Sequence, residues 1–399
     1  MLKHPFKVAK QRLFKSAYAH VYYFQNFFLL GWISFGGPAA HIGYFRNTFV
    51  EKLKWIEDKE YAQIVALSQF LPGPGSSQVG FALGYHRGGL LGGCAAFAGF
   101  TLPSVLIMVA LAIASSQLLQ TPLFQNVIHG LKLLAVVVVA DATWGMYKNF
   151  CKNRLTVGLC VATAVMLIVA PSIGTQIGVL IAAALIGVKW LPSQDLATER
   201  SFVPAFIPFA LFIGLLVGLP FAAHLMPEIA LFNHFYQAGS LVFGGGHVVL
   251  PLLQNLVGDA LDPDLFLTGY AAAQAVPGPM FTFATYIGYA LLPQAPILGA
   301  TLATIAVFLP GFLLLLGVLK NWQALANYRS VSGAINGVNA AVVGLLLSAL
   351  YHPVFTSSVS NHLDMAIVLT GFYLLKQLKL PIVWLVIFFM LSGIALGLN

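Results

Sequence analysis

Charge is what this sequence has least of. Its 399 residues include 20 Lys plus Arg and 12 Asp plus Glu, 8% in all, where a soluble domain carries roughly 25%. With 59% hydrophobic residues, the remainder cannot cover a water-facing surface, and a soluble enzyme is excluded. The three cysteines, Cys94, Cys151 and Cys160, are odd in number and lack a CxxC spacing, which argues against a disulfide framework and a thiolate metal site. The patterns GxxxxGK[ST] and HExxH and a nucleophile elbow are also missing. ATP-driven transport by this chain alone is therefore not expected, nor is an enzyme, a cofactor, a metal or a nucleic-acid partner. The net charge of +8 fits basic cytoplasmic loops better than an anionic macromolecule.

What the chain does have is apolar segments of the length that crosses a bilayer, near residues 90–114, 123–147, 155–170, 172–189, 203–221, 295–319, 330–351, 363–375 and 380–397. Four further apolar regions are interrupted, at Phe35-Gly36-Gly37-Pro38, Pro72-Gly73-Pro74-Gly75, Phe243-Gly244-Gly245-Gly246 and Pro277-Gly278-Pro279. The breaks match in pairs. A shift of 208 lays Gly31 on Gly239 and Phe35-Gly36-Gly37 on Phe243-Gly244-Gly245; 205 lays Gln69 on Gln274 and Pro72-Gly73-Pro74 on Pro277-Gly278-Pro279; 207 lays Pro103 on Pro310 and Gly130 on Gly337. The chain reads as an amphipathic cytoplasmic segment (1–17), a first repeat (18–150), connecting spans (151–227), a second repeat (228–352) and C-terminal spans (353–399).

Charge placement orients the copies. Arg46, Lys52, Lys54 and Lys59 follow the first Phe-Gly-Gly, whereas the matching loop holds Asp259, Asp262 and Asp264, and no Lys or Arg occurs from Ser201 to Leu319. By the positive-inside rule the copies are inverted, with an odd number of spans between them. The expected fold is an all-α polytopic membrane protein, an inverted-topology repeat with broken helices and re-entrant hairpins, the architecture of secondary transporters.

Pro-Gly-Pro forces an irregular turn, and non-helical backbone at membrane depth survives only where protein buries it or it lines a polar cavity. A helix that starts at such a break points N–H groups and a positive dipole end inward, so an anion is the natural guest. Gln69 and Gln274 precede the turns, and Ser76, Ser77 and Thr282 follow with neutral donors; with Phe35, Gly36, Gly37, Phe243, Gly244, Gly245 and both Pro-Gly-Pro triplets they form the candidate substrate site. Lys132 lies mid-segment and is read either as an anion ligand or as the neutraliser of another group. Asp141, nine residues on, lies on the opposite helix face, so the two are not partners on one helix, and Asp141 is a further candidate for proton or charge coupling. His41 and His247 are candidates for proton coupling. Arg46 and Arg87 are weighed for charge coupling against plain interfacial snorkelling.

Gly31-Trp32-Ile33-Ser34-Phe35-Gly36-Gly37-Pro38, Gln69-Phe70-Leu71-Pro72-Gly73-Pro74, Phe243-Gly244-Gly245-Gly246-His247-Val248-Val249-Leu250-Pro251 and Gln274-Ala275-Val276-Pro277-Gly278-Pro279 resemble the duplicated signature of the chromate ion transporter family, in its long two-domain form. The resemblance implies a bacterial inner-membrane protein that expels chromate and confers resistance. A sulfate or other oxyanion permease is the rival, and a non-transporting scaffold the alternative from another class. The expected partners are the transported anion and the lipid bilayer, with a homodimer left open.

Overall fold

A computed structural model of the chain describes residues 4–35, 37–118, 121–191, 205–243, 248–257, 260–319 and 329–397. Among them there is no strand, in keeping with the all-α expectation. The first copy supplies α1 (His4–Ile33), α2 (Gly37–Phe45, prolonged by a π-helical stretch Arg46–Lys52), α3 (Asp58–Phe70), α4 (Gly75–Leu118), α5 (Pro122–Phe150), α6 (Arg154–Val169) and α7 (Ile173–Trp190). After α8 (Phe206–Ala222), the second supplies α9 (Pro227–Leu241), α10 (Val249–Val257), α11 (Pro263–Ala275), a short turn Met280–Thr282 into α12 (Phe283–Leu291), α13 (Pro296–Val318), α14 (Arg329–Ala349), α15 (His362–Lys376) and α16 (Ile382–Leu396). The basic N-terminal segment runs into the first apolar segment as one helix. Element order also pairs α6 and α7 with α15 and α16, which leaves α8, among the described residues, as the single helix between two like series.

All four breaks fall where Pro and Gly interrupt the apolar pattern. α1 stops at Ile33, α3 at Phe70, α9 at Leu241 and α11 at Ala275. α4 is bent at Gly88 and Gly89, where φ reaches +60° at Gly89; the corresponding point of the second copy is the gap between α12 and α13. α3 and α11 have 13 residues each, about 20 Å at 1.5 Å per residue. That is short of the roughly 30 Å hydrocarbon core. Among the described residues four helical stretches, Gly75–Leu118, Pro122–Phe150, Pro296–Val318 and Ser330–Phe355, are long and apolar enough to cross a membrane, and five shorter apolar helices accompany them.

The copies interlock by exchange. A Cβ on Gly130 of α5 would lie 2.0 Å from the carbonyl oxygen of Phe389 on α16, while one on its counterpart Gly337 of α14 would lie 2.0 Å from that of Ala183 on α7. Small residues let backbones approach this closely, and between helices in lipid such packing stands in for the hydrophobic effect. Within each copy the pattern recurs: Gly31 sits under the Phe100 carbonyl beside Pro103, and Gly239 under the Val307 carbonyl beside Pro310. Matched contacts that cross from one copy to the other are what a twofold axis relating the copies produces.

The charge bias gives a sided prediction. In a Lys54→Cys variant the thiol is expected to react with a membrane-impermeant maleimide only from the cytoplasmic side, and in Asp262→Cys only from outside. Labelling of both from one side would overturn the inversion.

Candidate functional site

The two Pro-Gly-Pro turns are built alike, and each reaches into the opposite copy. Gly73 has φ +119° and Gly278 φ +99°, a region that side-chain-bearing residues avoid. The Gly73 N–H donates to the Val242 carbonyl at 2.7 Å, and the Gly278 N–H donates to the Ser34 carbonyl at 2.9 Å. Ser34 and Val242 are counterparts, each the first residue past α1 or α9. Each turn of one copy is thus bonded to the break of the other.

The second anchor of each turn is the proline-containing helix of the opposite copy. A Cβ on Gly73 would lie 2.9 Å from the Gly311 Cα, next to Pro310. Gln78 Nε2 donates to the carbonyls of Gly311 and Pro72, both at 3.0 Å. On the other side a Cβ on Gly278 would lie 3.1 Å from the Ser104 Cβ, next to Pro103, and Ser104 Oγ and Thr282 Oγ1 are 2.5 Å apart. Thr282 Oγ1 also donates to the Pro279 carbonyl at 2.8 Å, so Ser104 is the donor of the pair.

The amides of Gly73 and Gly278 are used within the protein, and the helix that starts at the first break is α4. The Gln78 N–H is bonded to the Pro74 carbonyl at 2.9 Å; the N–H groups of Gly75, Ser76 and Ser77 precede it at the positive end of the helix. Around this end lie buried polar side chains. The hydroxyls of Ser34, Ser77 and Thr101 and the Oε1 of Gln78 have no hydrogen-bond partner among the described residues, and unpartnered buried polar atoms are uncommon enough to mark a site.

His41 is buried, with Nε2 3.1 Å from the Ser34 carbonyl and Nδ1 3.2 Å from Ser76 Oγ. A carbonyl only accepts, so Nε2 carries the proton and Ser76 donates to Nδ1. The histidine holds the first break against the first turn and fixes the direction of Ser76. Gln69 is exposed, whereas Gln274 Nε2 contacts Met280 Sδ at 3.2 Å, so the duplicated glutamines do not act alike. Phe35, Gly37 and Phe243 are partly buried at the breaks; Gly36, Gly244, Gly245 and His247 lie outside the described residues.

The remaining charges are placed elsewhere. Arg46 is exposed and paired with Glu51 at 2.6 Å and Asp58 at 2.7 Å, and the exposed Arg87 guanidinium lies 5.8 Å from the centre of the Trp55 ring. Both are exposed, and neither makes a described contact with the turns. Asp141 pairs with Lys376 and makes no described contact with either turn. Lys132 pairs with Asp264 at 2.7 Å within the chain, the kind of contact that a neutralising role calls for. Beside it His129 pairs with the fully buried Asp364 at 2.7 Å. Sequence reasoning missed Ser104 and the Lys132–Asp264 contact; Ser104 was within reach, since it follows the proline matched with Pro310.

Two clefts flank the centre, related by the same symmetry. One, about 370 Å³, lies between α3, the first part of α4 and Leu319. The other, about 330 Å³, lies between Leu265, α12 and the far end of α4 at Ala112 and Ser116.

The chromate transporter family model matches the chain twice, over residues 21–188 and 229–396. A probable chromate transport protein of Synechococcus elongatus is 32% identical over 331 residues, 82% of each chain. The chromate transport protein of Cupriavidus metallidurans is 28% identical over 327 residues, 81% of this chain and 80% of that one. An uncharacterized transporter of Methanocaldococcus jannaschii is 28% identical over 336 residues, 82% of each. No solved structure matches the chain.

Proposed function

The chain belongs to the chromate transporter family, and from that premise we propose that it is a secondary transporter that exports chromate across a bacterial inner membrane, with the anion held where each Pro-Gly-Pro turn reaches into the opposite copy. The observation that carries the site is the crossed pair of bonds, Gly73 N–H to Val242 and Gly278 N–H to Ser34. They bring all four breaks together at the boundary between the copies, where a rocking of one copy against the other alternates access. Buried hydroxyls of Ser34, Ser77 and Thr101 and the open end of α4 supply neutral donors. Neutral donors suit a cargo that must leave again, since a fixed cation would hold a dianion too well; Lys132, already paired, is not required as a ligand.

Direction follows from electrostatics. One charge crossing 100 mV is worth about 2.3 kcal/mol, so a dianion leaving a cell that is negative inside moves downhill by roughly 4.6 kcal/mol. Uptake would need more than two accompanying cations.

Sulfate, also a tetrahedral dianion, is the rival cargo, because backbone and hydroxyl donors distinguish the two poorly. Purified protein in liposomes loaded with chromate is expected to release it, and faster under an inside-negative potential. Sulfate at tenfold excess is expected to compete, as a site built of such donors requires, while being released more slowly than chromate. Sulfate release that equals or exceeds chromate release would transfer the chain to the general oxyanion permeases, and a flux indifferent to potential would overturn electrogenic export.

A further inference from the structure

Exchange symmetry makes each departure from it readable. On one face α5 packs against α11, and Lys132 Nζ lies 2.7 Å from Asp264 Oδ1 in the first turn of α11. The counterparts on the other face are α14 and α3, which barely meet. Under the repeat shifts Lys132 corresponds to Asn339 and Asp264 to Lys59. An ion pair on one face is thus replaced by two donors on the other; of the acids flanking Lys59, Asp58 is held by Arg46 and Glu60 lines the cleft.

Packing departs from symmetry in the same sense. Beside α11 the ring of Tyr286, 1% exposed, fills the space over Gly269, where a Cβ would lie 2.4 Å from the ring. A shift of 204, which lays Gly84-Tyr85 on Gly288-Tyr289, puts Ala82 opposite Tyr286, and 205 puts Ile64 opposite Gly269; a methyl group leaves open what the tyrosine closes. The cleft along α3 accordingly reaches Leu67, five residues before Pro72. Its counterpart touches α11 only at Leu265, twelve residues before Pro277. By the bias of basic loops, the α3 face is cytoplasmic and the α11 face external.

We propose that Lys132 and Asp264 are the latch of an outer gate, shut in this structure, and that the inner gate, at Lys59 and Asn339, has no such latch, so that the empty carrier rests open to the cytoplasm. The purpose rests on the transport reading; the geometry does not. Moving α11 away from α5 would strip the buried Lys132 ammonium of its partner, which is costly, whereas moving α3 and α14 apart breaks nothing comparable. Neighbouring groups do not replace the latch: His129 is held by Asp364, and Asp262 is occupied in capping α11 through the Asp264 N–H at 2.7 Å. Because two conformations exchange, even a modest bias in bond energy shifts their populations.

The test needs no cargo. Ala290→Cys places a thiol in the outer cleft, in a Cys94→Ser background because Cys94 is exposed while Cys151 and Cys160 are buried. In right-side-out vesicles a membrane-impermeant maleimide is expected to label it slowly. Lys132→Asn or Asp264→Asn is expected to speed labelling roughly threefold, the size a partly exposed ion pair carries. The exchange Lys132→Asp with Asp264→Lys should return it to the slow rate, which a merely misfolded single variant could not explain. Asn339→Asp, by giving Lys59 an acid, should latch the inner gate and also speed outer labelling. Unchanged rates in the single variants, or no recovery in the exchange, would overturn the latch. The expected labelling together with absent chromate flux would instead reject the transport reading and leave the gate standing.

Discussion

Gly73→Leu is expected to bring chromate flux in liposomes down to the protein-free level, with Gly278→Leu close behind. At φ +119° and +99° neither position accepts a side chain without strain, and the left-handed side of the backbone map costs L residues roughly 1–2 kcal/mol. The sterics then separate the two. A Cβ on Gly73 would meet backbone, the Gly311 Cα at 2.9 Å, whereas one on Gly278 would meet the Ser104 side chain at 3.1 Å. Backbone yields only if α13 shifts, and that shift breaks the Gln78 bridge to Gly311. The alanine variants should rank the same way, Gly73→Ala losing more flux than Gly278→Ala. Wild-type flux from both leucine variants would reduce the turns to simple kinks and remove the proposed site.

The second large effect is on assembly. Gly130→Leu and Gly337→Leu are each expected to lower the yield of folded protein in the membrane at least about tenfold, since overpacking typically costs 1–3 kcal/mol where side chains can adjust and here the obstacle is backbone. Either Cβ would lie 2.0 Å from a carbonyl oxygen of the helix exchanged from the other copy. Gly145→Leu and Gly178→Leu are the controls, because a Cβ at these positions meets nothing within 4 Å. Detergent-solubilised yield and size-exclusion profile check all four. A uniform effect across the set would mean that helix glycines matter here by propensity, not by contact.

Much of this architecture was legible because Pro and Gly act locally. Pro-Gly-Pro restricts its own backbone wherever it stands, so the ends of α3 and α11 could be placed from composition alone. Reversal of charge between Lys54 and Asp262 likewise needs no structure. Partners across the chain were not legible. The match of Gly130 to Gly337 shows that both face something small, but nothing in a repeat says that α16 and α7 are what they face. Lys132 could be set apart from Asp141 by helix geometry, and the structure agrees, giving them Asp264 and Lys376. The identity of those partners depends on folding over 132 and 235 residues of separation. The acceptors of the turn amides were hidden for the same reason: Ser34 and Val242 belong to the other copy's break.

The exchange of α5 and α14 has a consequence for biosynthesis. When the ribosome has released α1 to α7 into the membrane, the face of α5 around Gly130 still lacks its neighbour, because α16 is made more than two hundred residues after Gly130. α7 waits in the same way for α14. A first half that has already been inserted must therefore remain an unfinished scaffold, its backbone carbonyls already satisfied along each helix but its close contacts pending, until the C-terminal end arrives. Loss of even the final fifteen residues of α16 would leave that scaffold open at its oldest part, far in sequence from the lesion.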